Sequence, residues 1–218
     1  MRERRKKLTV VVTAGPTQEM IDPIRFISNR STGVMGYQIA AVARARGHNV
    51  VLISGPTRHA PPAGVRFIPI VTVAELKKAV LSSVTHADCL FMVAAVSDWY
   101  LPRAPKHKIK RARRTLTLSL KSTPDILKAA GIRKSRCILV GFSLETTNPL
   151  AAAKKKLHDK HIDMIVANTL HGTKIPFGNT PLQSCIIDTS GRVEHLPLLS
   201  KRELAGVLVA RVEKLYSS

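Results

Sequence analysis

The sequence predicts an α/β protein with a modified Rossmann-like fold, in which a mostly parallel sheet lies between helices and a C-terminal β-hairpin joins the sheet. Short apolar runs rich in Val, Ile and Leu recur without polar alternation, which is typical of strands buried on both faces. Helix-like stretches separate these runs, and such alternation favours parallel strands joined by helices. The 218 residues, 44% of them hydrophobic, suffice for one such domain.

Each element has its own local signal. The strand candidates are residues 8–14, 49–54, 65–70, 90–95, 138–142 and 164–167. The helix candidates are residues 33–46, 73–83, a helix with Thr123 as its cap and Pro124 at its first position, residues 151–160 and residues 200–216. Capping boxes mark two helix starts, Thr72 with Glu75 and Ser200 with Glu203. The hairpin joins residues 183–188 to residues 192–196.

These elements predict a single domain over residues 8–218, preceded by a basic extension over residues 1–7. Two polar segments, residues 15–32 and 97–114, receive no element. Compact domains rarely keep loops of that length unless the loops have a function. We therefore expect both segments to have a function.

The strongest compositional feature is a formal charge of +21, from 35 Lys and Arg against 14 Asp and Glu. A nucleic acid, an acidic membrane surface or polyanionic small molecules could each account for it. Aromatic residues make up only 4% of the chain, whereas single-strand binders usually place aromatics among their basic residues. No apolar run suits a membrane span and no signal peptide is visible. The three cysteines are expected to be packed thiols in the reducing cytoplasm.

The first strand leads into a loop with the features of a phosphate site. Residues 28–36 read Ser-Asn-Arg-Ser-Thr-Gly-Val-Met-Gly and end in a helix start, where free N–H groups and the helix dipole attract anions. Gly33 and Gly36 would allow close backbone approach, and Ser31 would add a hydroxyl. The dinucleotide fingerprint G-x-G-x-x-G is missing. A helix cap with glycines kept for packing is the alternative interpretation.

Three further features have both a functional and a structural interpretation. Asp98 follows the strand at 90–95, where open parallel sheets bind ligands, but it could equally form a turn. The basic run at 106–114 could close over a triphosphate or could be a solvated loop. Lys156 and Lys160, four residues apart, project together toward a ligand or into solvent. The eight histidines form no metal-ligand pattern, so no protein-bound metal is expected.

Taken together, these motifs resemble the phosphopantothenoylcysteine synthetases, or phosphopantothenate–cysteine ligases, which form the ligase half of the bacterial bifunctional coenzyme A biosynthesis flavoproteins. The resemblance extends over residues 8–215. Its motifs are Thr-Ala-Gly-Pro-Thr at 13–17, Asp-Pro-Ile-Arg-Phe-Ile-Ser-Asn-Arg-Ser-Thr-Gly at 22–33, Ala-Ala-Val-Ser-Asp at 94–98, Lys-Ile-Lys-Arg at 108–111, Val-Gly-Phe-Ser-Leu-Glu-Thr at 140–146 and Val-Ala-Asn at 166–168.

The resemblance implies a cytoplasmic, homodimeric ligase that joins 4′-phosphopantothenate to L-cysteine through an acyl-cytidylate, with CTP cleaved to the monophosphate and pyrophosphate. Mg²⁺ would accompany the nucleotide. The flap lysine and the Lys156/Lys160 pair resemble the bacterial type, which implies CTP rather than ATP. No flavin is expected, because no decarboxylase domain precedes the ligase, and a decarboxylase would be a separate partner. Neither a membrane nor a specific nucleic acid is an expected partner.

By position, the resemblance assigns roles to individual residues. Asn29 and Lys108 would be catalytic, the first at the reacting acyl group and the second in a flap over about residues 97–115. Arg25 would reach the substrate across the dimer interface. Further substrate contacts would be Ala94, Ala95 and Asp98. The nucleotide contacts would be Gly15, Ser31, Gly33, Gly36, Ala94, Asp98, Lys108, Thr123, Pro124, Asp125, Ile126, Phe142, Lys156, Lys160 and Asn168.

Two functions from other classes remain as alternatives. A Rossmann-type oxidoreductase would bind NAD(P)H, although the missing glycine fingerprint argues against it. A basic nucleic-acid-binding module would explain the charge of +21, and its binding would be steeply salt-dependent.

Overall fold

The computed structural model describes residues 6–111, 115–145, 149–169 and 178–217. The strands are β1 (Thr9–Ala14), β2 (Gln18–Met20), β3 (Phe26–Ser28), β4 (Asn49–Ser54), β5 (Arg66–Pro69), β6 (Cys89–Met92), β7 (Trp99–Tyr100), β8 (Lys121–Ser122), β9 (Ile138–Glu145), β10 (Met164–Thr169), β11 (Leu182–Asp188) and β12 (Val193–Leu199). The helices are α1 (Val34–Ala45), α2 (Val73–Ser83), α3 (Ile126–Arg133), α4 (Pro149–Asp159) and α5 (Lys201–Ser217), with a short 3₁₀ turn at Val84–His86.

Eight strands form one sheet in the order β12-β11-β10-β9-β6-β1-β4-β5. The strands from β10 to β5 are parallel, whereas β11 and β12 are antiparallel. The chain proceeds from β1 outward to β4 and β5, then returns to β6 on the other side of β1. Open sheets bind ligands at such a reversal, outside the carboxyl ends of the strands. The parallel strands, with the antiparallel β11–β12 hairpin at one edge, confirm the predicted Rossmann-like fold with a C-terminal hairpin.

Helices cover both faces of this sheet. On one face, α1 and α5 pack over Val10, Val12 and Phe91. On the other face, α2, α3 and α4 pack over Val11 and Leu90. Successive strand residues point to opposite faces, so burial of both faces leaves no polar alternation in the central strands. In the described ranges, no helix has the length and apolar character needed to cross a bilayer.

Some predicted boundaries were wrong. The strand expected at 90–95 ends at Met92, because the next two residues, Val93 and Ala94, donate their N–H groups to Thr13 Oγ1 at 2.9 and 3.0 Å. Helix α3 is capped by Asp125, whose carboxylate accepts the Lys128 N–H at 3.0 Å. Thr123 is therefore not the cap, and Pro124 is not the first helical residue. Helix α4 begins at Pro149, earlier than the expected residue 151.

The two long polar segments contain short strands that the sequence did not reveal. Strands β2 and β3 pair as a hairpin inside residues 15–32. Strand β7, inside the predicted flap, pairs with β8. Residues 112–114 of that flap lie outside the described residues. The capping boxes at Thr72 and Ser200 are confirmed.

Candidate active site

A cavity of about 360 Å³ lies beyond the end of β6, beside the ends of β9 and β10 and against the start of α1. It occupies the reversal point of the sheet, where the fold places a ligand. The structure brings together in its lining eight of the residues predicted to form the site, and these are Asn29, Ser31, Gly33, Gly36, Ala94, Ala95, Phe142 and Asn168. They come from four separate motifs, so the fold rather than sequence proximity assembles them.

The start of α1 forms one wall of the cavity. Its N-cap, Gly33, has φ of 81° and provides no side-chain cap, and the first turn contains no acidic residue. The first N–H groups of a helix have no acceptor within the helix, and the helix dipole adds positive potential there. The Ser31 hydroxyl accepts the Gly33 N–H at 3.3 Å. This wall can therefore bind an anionic group of a ligand.

Glycines are required here by space as well as by conformation. A Cβ on Gly36 would lie 2.6 Å from Ala14 Cβ, so α1 packs closely on β1. A Cβ on Gly33 would lie 2.7 Å from Thr57 Cγ2. Gly15, with φ of 69°, lies outside the lining, and its carbonyl accepts the Ala95 N–H at 2.9 Å. The packing and phosphate interpretations of Gly33 and Gly36 are compatible, because close packing is what places the helix start at the cavity.

Asn29 is held against the wall that follows β6. Its Nδ2 group donates to the Ala95 carbonyl at 3.2 Å and to the Val96 carbonyl at 2.9 Å. The Ala95 carbonyl also accepts the Thr17 N–H at 3.2 Å. With Nδ2 engaged, the amide oxygen of Asn29 is the atom through which this side chain could accept a hydrogen bond from a ligand. Asn168 also lines the cavity, and its Oδ1 atom accepts the Ser184 hydroxyl at 2.6 Å.

A buried carboxylate connects the flap to the β2–β3 hairpin. Asp22 is 1% exposed and accepts N–H groups of Ile24 and Arg25 at 2.9 Å each, and of Ile109 at 3.1 Å. The Arg25 guanidinium holds the pKa of Asp22 well below its usual range and also donates to the Ile109 carbonyl at 2.9 Å. Sequence reasoning gave Asp22 no role, although it stands in the longest motif. Lys108, next to Ile109, is exposed and lies outside the cavity lining.

Asp98 and the segment 123–126 also lie outside the lining. Asp98 is exposed, and its carbonyl accepts the Thr123 N–H at 2.9 Å. The Thr123 hydroxyl donates to the Ser97 carbonyl at 2.7 Å, so Thr123 supports the segment that follows β6. Pro124 is exposed, whereas Ile126 is 2% exposed and belongs to the core.

The two predicted lysines of α4 have different surroundings. Lys156 Nζ donates to Ser143 Oγ at 3.1 Å, and Ser143 lines the cavity. Lys160 forms a salt bridge of 3.0 Å with Asp125 at the start of α3. Lys156 is thus adjacent to the cavity, and Lys160 binds a carboxylate that was itself predicted to contact the nucleotide.

Sequence reasoning missed a lysine in the lining. Lys201, at the start of α5, is 7% exposed, and burial lowers the pKa of its ammonium group. A lysine after a helix cap gives no signal that it is buried. The other residues of the lining that were not predicted are Thr32, Val34, Met35, Val93, Val96, Ser143, Leu144 and Leu182.

The donor groups of the cavity do not suit a metal held by protein alone. Within the described ranges, no group of three or more His, Cys, Asp and Glu side chains could hold a metal ion. The described lining offers hydroxyl and amide oxygens but no carboxylate. Mg²⁺ usually binds through one or two carboxylates together with the phosphates of its substrate. The described lining therefore provides no carboxylate ligand for Mg²⁺, and an ion at this site would have to be held by the phosphates of a ligand.

The fold and the cavity define a Rossmann-like α/β protein whose cavity lies beside a helix start, at the reversal point of its sheet. The chain belongs to the family described as the DNA/pantothenate metabolism flavoprotein C-terminal domain, which matches residues 5–216. The coenzyme A biosynthesis bifunctional protein CoaBC of Bacillus subtilis (strain 168) is 41% identical over 207 residues, which are 94% of this chain and 51% of that protein. The CoaBC protein of Haemophilus influenzae is 37% identical over 96% of this chain and 52% of its own length.

A solved structure supports the same placement. The crystal structure of the C-terminal domain of a CoaBC protein has a TM-score of 0.82 and 35% sequence identity, with 96% of each chain covered. The chain thus spans about half the length of the curated relatives it matches and nearly all of this solved domain.

Proposed function

We propose that this chain is a phosphopantothenate–cysteine ligase of coenzyme A biosynthesis, which joins 4′-phosphopantothenate to L-cysteine with cleavage of CTP. The observation that carries the proposal is the cavity that joins a helix start, Asn29 and the Ala94–Ala95 wall at the reversal point, with no carboxylate among its described lining residues. The relatives are named for coenzyme A biosynthesis. A Cab2 mutant with the same fold, 20% identical with a TM-score of 0.77, was solved in complex with phosphopantothenate-cysteine.

The proposed reaction needs an electropositive site because two anions must meet. A carboxylate oxygen of phosphopantothenate attacks the α-phosphorus of CTP, the bond to the bridging oxygen breaks, and pyrophosphate leaves with that electron pair. The amine of cysteine then attacks the acyl carbon, cytidine monophosphate leaves, and the amine loses a proton as the amide forms. The start of α1 reduces the repulsion between the reactants by stabilising phosphate charge. Mg²⁺, when bound with the nucleotide, would neutralise further phosphate charge.

Asn29 has a specific role in this proposal. Because its Nδ2 group binds the Ala95 and Val96 carbonyls, its oxygen is the group that would orient the incoming amine of cysteine through an N–H···O hydrogen bond. Asn29→Asp would place a carboxylate against those two carbonyls, so the wall would lose its support. We therefore expect the second step to slow more than the first, with accumulation of the acyl-cytidylate.

Three further assignments complete the proposal. A homodimer would cover exposed apolar side chains in the β2–β3 hairpin and in β7, namely Ile24 (61% exposed), Phe26 (46%) and Trp99 (53%). The side chain of Arg25 is 44% exposed and could reach a neighbouring subunit from this region.

Three free, buried cysteines suit the reducing cytoplasm. A separate decarboxylase would then act on the product.

The experiment is pyrophosphate release from Mg²⁺, 4′-phosphopantothenate, L-cysteine and either CTP or ATP. Turnover that requires all components and prefers CTP supports the proposal. A preference for ATP would support the ligase activity but would contradict the assignment of CTP as the nucleotide. Quenched-flow analysis of Asn29→Asp should reveal the acyl-cytidylate. Asn49→Asp, at an exposed position at the start of β4, is the matched control and should behave like the wild type. No turnover with either nucleotide would reject the proposal.

A further inference from the structure

The flap is attached to the β2–β3 hairpin through both backbone groups of Ile109. The Ile109 N–H donates to Asp22 Oδ2 at 3.1 Å, and the Ile109 carbonyl accepts a hydrogen bond from Arg25 Nη2 at 2.9 Å. Arg25 Nε also donates to Asp22 Oδ2, at 3.0 Å. Asp22 and Arg25 thus form one unit that holds the N–H and the carbonyl of a single flap residue, and we call this unit the clamp.

The two carboxylate oxygens of Asp22 serve different partners. Oδ1 accepts the N–H groups of Ile24 and Arg25 at 2.9 Å each, which forms the turn between β2 and β3. Short polar side chains, serine included, commonly form such turns. Oδ2 accepts the Arg25 guanidinium and the flap, and a charged acceptor makes these hydrogen bonds stronger. The turn alone would not require a carboxylate, whereas the clamp does.

A second contact attaches the base of the flap to the same part of the chain. The Ser97 N–H donates to Thr17 Oγ1 at 2.9 Å, and Thr17 is fully buried just before β2. The Ser28 hydroxyl, at the end of β3, donates to the Thr17 carbonyl at 2.7 Å. The flap is therefore fixed to the hairpin and its flank both at Ser97 and at Ile109.

The clamp fixes the backbone of Lys108 relative to Asn29. Lys108 shares a peptide bond with Ile109, and the N–H of that bond is held by Asp22. Asn29 directly follows β3, the second strand of the hairpin that begins at Gln18, and it lines the cavity. The same hairpin thus anchors both residues that the family resemblance names as catalytic.

We propose that Asp22 is a positioning residue that holds the flap so that Lys108 acts on the reactants from a fixed backbone. This inference rests on the proposed ligase function. Asp22 does not touch the reactants and keeps its charge. Through Lys108, it would place an ammonium group near the phosphate oxygens on which negative charge develops. Release of the flap would let Lys108 sample many positions, so the reaction would lose the benefit of orientation.

A double-mutant cycle between Asp22 and Lys108 tests whether one residue acts through the other. The hydroxyl of Asp22→Ser can still form the turn but has no charge for the clamp. Its kcat for pyrophosphate release should fall about 10- to 100-fold. The kcat of Lys108→Gln should also fall, and the double variant should match Lys108→Gln within about 2-fold, because coupled residues are not additive. Asp22→Asn is the second variant if Asp22→Ser does not fold.

Trypsin cleavage measures the position of the flap without any ligase activity. The bond between Lys108 and Ile109 is a trypsin site whose N–H belongs to the clamp. A protease needs the chain to open locally, so the clamp should protect this bond. Asp22→Ser should raise the rate of cleavage there about 10-fold or more. Asp159→Asn, which removes an exposed carboxylate, is the matched control and should leave both the cleavage rate and kcat unchanged.

The outcomes separate this inference from the proposed function. If the factors of the two single variants multiply in the double variant, or if Lys108→Gln keeps the wild-type kcat, the role of Asp22 is wrong and the ligase proposal stands. An unchanged cleavage rate in Asp22→Ser would mean that the clamp does not hold the flap, which also rejects the inference. If the wild type releases no pyrophosphate, the ligase proposal fails and the role of Asp22 in that reaction fails with it.

Discussion

Substitution of one glycine should show whether the cavity depends on close packing of α1 against the sheet. Gly36 and Gly206 both lie inside helices, but their surroundings differ. A Cβ on Gly36 would lie 2.6 Å from Ala14 Cβ and 2.8 Å from the Thr13 carbonyl oxygen. A Cβ on Gly206 would meet nothing within 4 Å. Gly36→Ala and Gly206→Ala thus make the same chemical change with and without steric overlap.

The magnitude follows from the overlap. Carbon atoms in ordinary contact lie about 3.5–4.0 Å apart, so α1 would have to withdraw from β1 by about 1 Å. Overpacking of this kind costs about 1–3 kcal/mol, whereas replacement of a helical glycine by alanine contributes up to about 1 kcal/mol of stability. Both variants gain helix stability from the alanine, but only Gly36→Ala has the cost of overpacking. The free energies of unfolding should therefore differ by about 1–3 kcal/mol, or about 3–9 °C in Tm for a chain of this size.

The same displacement should affect ligand binding. A withdrawal of about 1 Å moves the first turn of α1 away from the cavity, and misplacement of that size can reduce turnover about 100-fold. Thermal unfolding and pyrophosphate release, measured on both variants, test the two effects together. Gly36→Ala with the stability of Gly206→Ala and with wild-type turnover would refute the packing argument.

Two further predictions concern other groups. Asp22→Asn should lower turnover at least about 10-fold, because the carboxylate joins Arg25 to the Ile109 backbone, whereas Asp159→Asn, at an exposed position, should not. The stability that Asp22 contributes is present above its unfolded pKa of 3.8 and is lost as the pH falls, since its folded pKa is lower. A turnover unchanged by Asp22→Asn would contradict this role. Burial raises the pKa of Cys137 to about 12, so iodoacetamide at pH 8 should alkylate it only after unfolding. Mass spectrometry would measure the alkylation of Cys137. Alkylation of Cys137 in the folded protein would contradict the burial argument.

The sequence predicted the large sheet because its central strands are buried on both faces, and such strands are continuous apolar runs. It did not predict β2, β3, β7 and β8, which have two or three residues each and no apolar period. These short strands shape the hairpin and the flap around Asp22. Local sequence patterns cannot reveal these short strands, because each one forms only through backbone hydrogen bonds to its partner strand.

The lining residues of the candidate site were predicted to different extents. Asn29, Ser31, Gly33, Ala94 and Ala95 were predicted because they belong to contiguous motifs that follow β1 and β6. Lys201 was missed because it lies at the start of α5, and a lysine after the Ser200 cap resembles any solvated helix start. Ser143 and Leu182 were missed for a similar reason, since strand residues at the end of a sheet line a cavity only when the helices close it.

The charge of +21 offers a final test between a ligase and a nucleic-acid-binding module. Of the lysines near the cavity, Lys201 is buried and Lys156 half-buried, whereas most basic residues in the described ranges are exposed. Salt screens exposed charges much more than buried ones. Binding of a single-stranded RNA through the surface should therefore weaken by orders of magnitude between about 50 and 200 mM salt. Binding of CTP at the cavity should weaken far less over the same range. Filter binding for RNA and calorimetry for CTP would measure both slopes, and a steeper slope for CTP than for RNA would mean that the nucleotide binds to the basic surface rather than in the cavity.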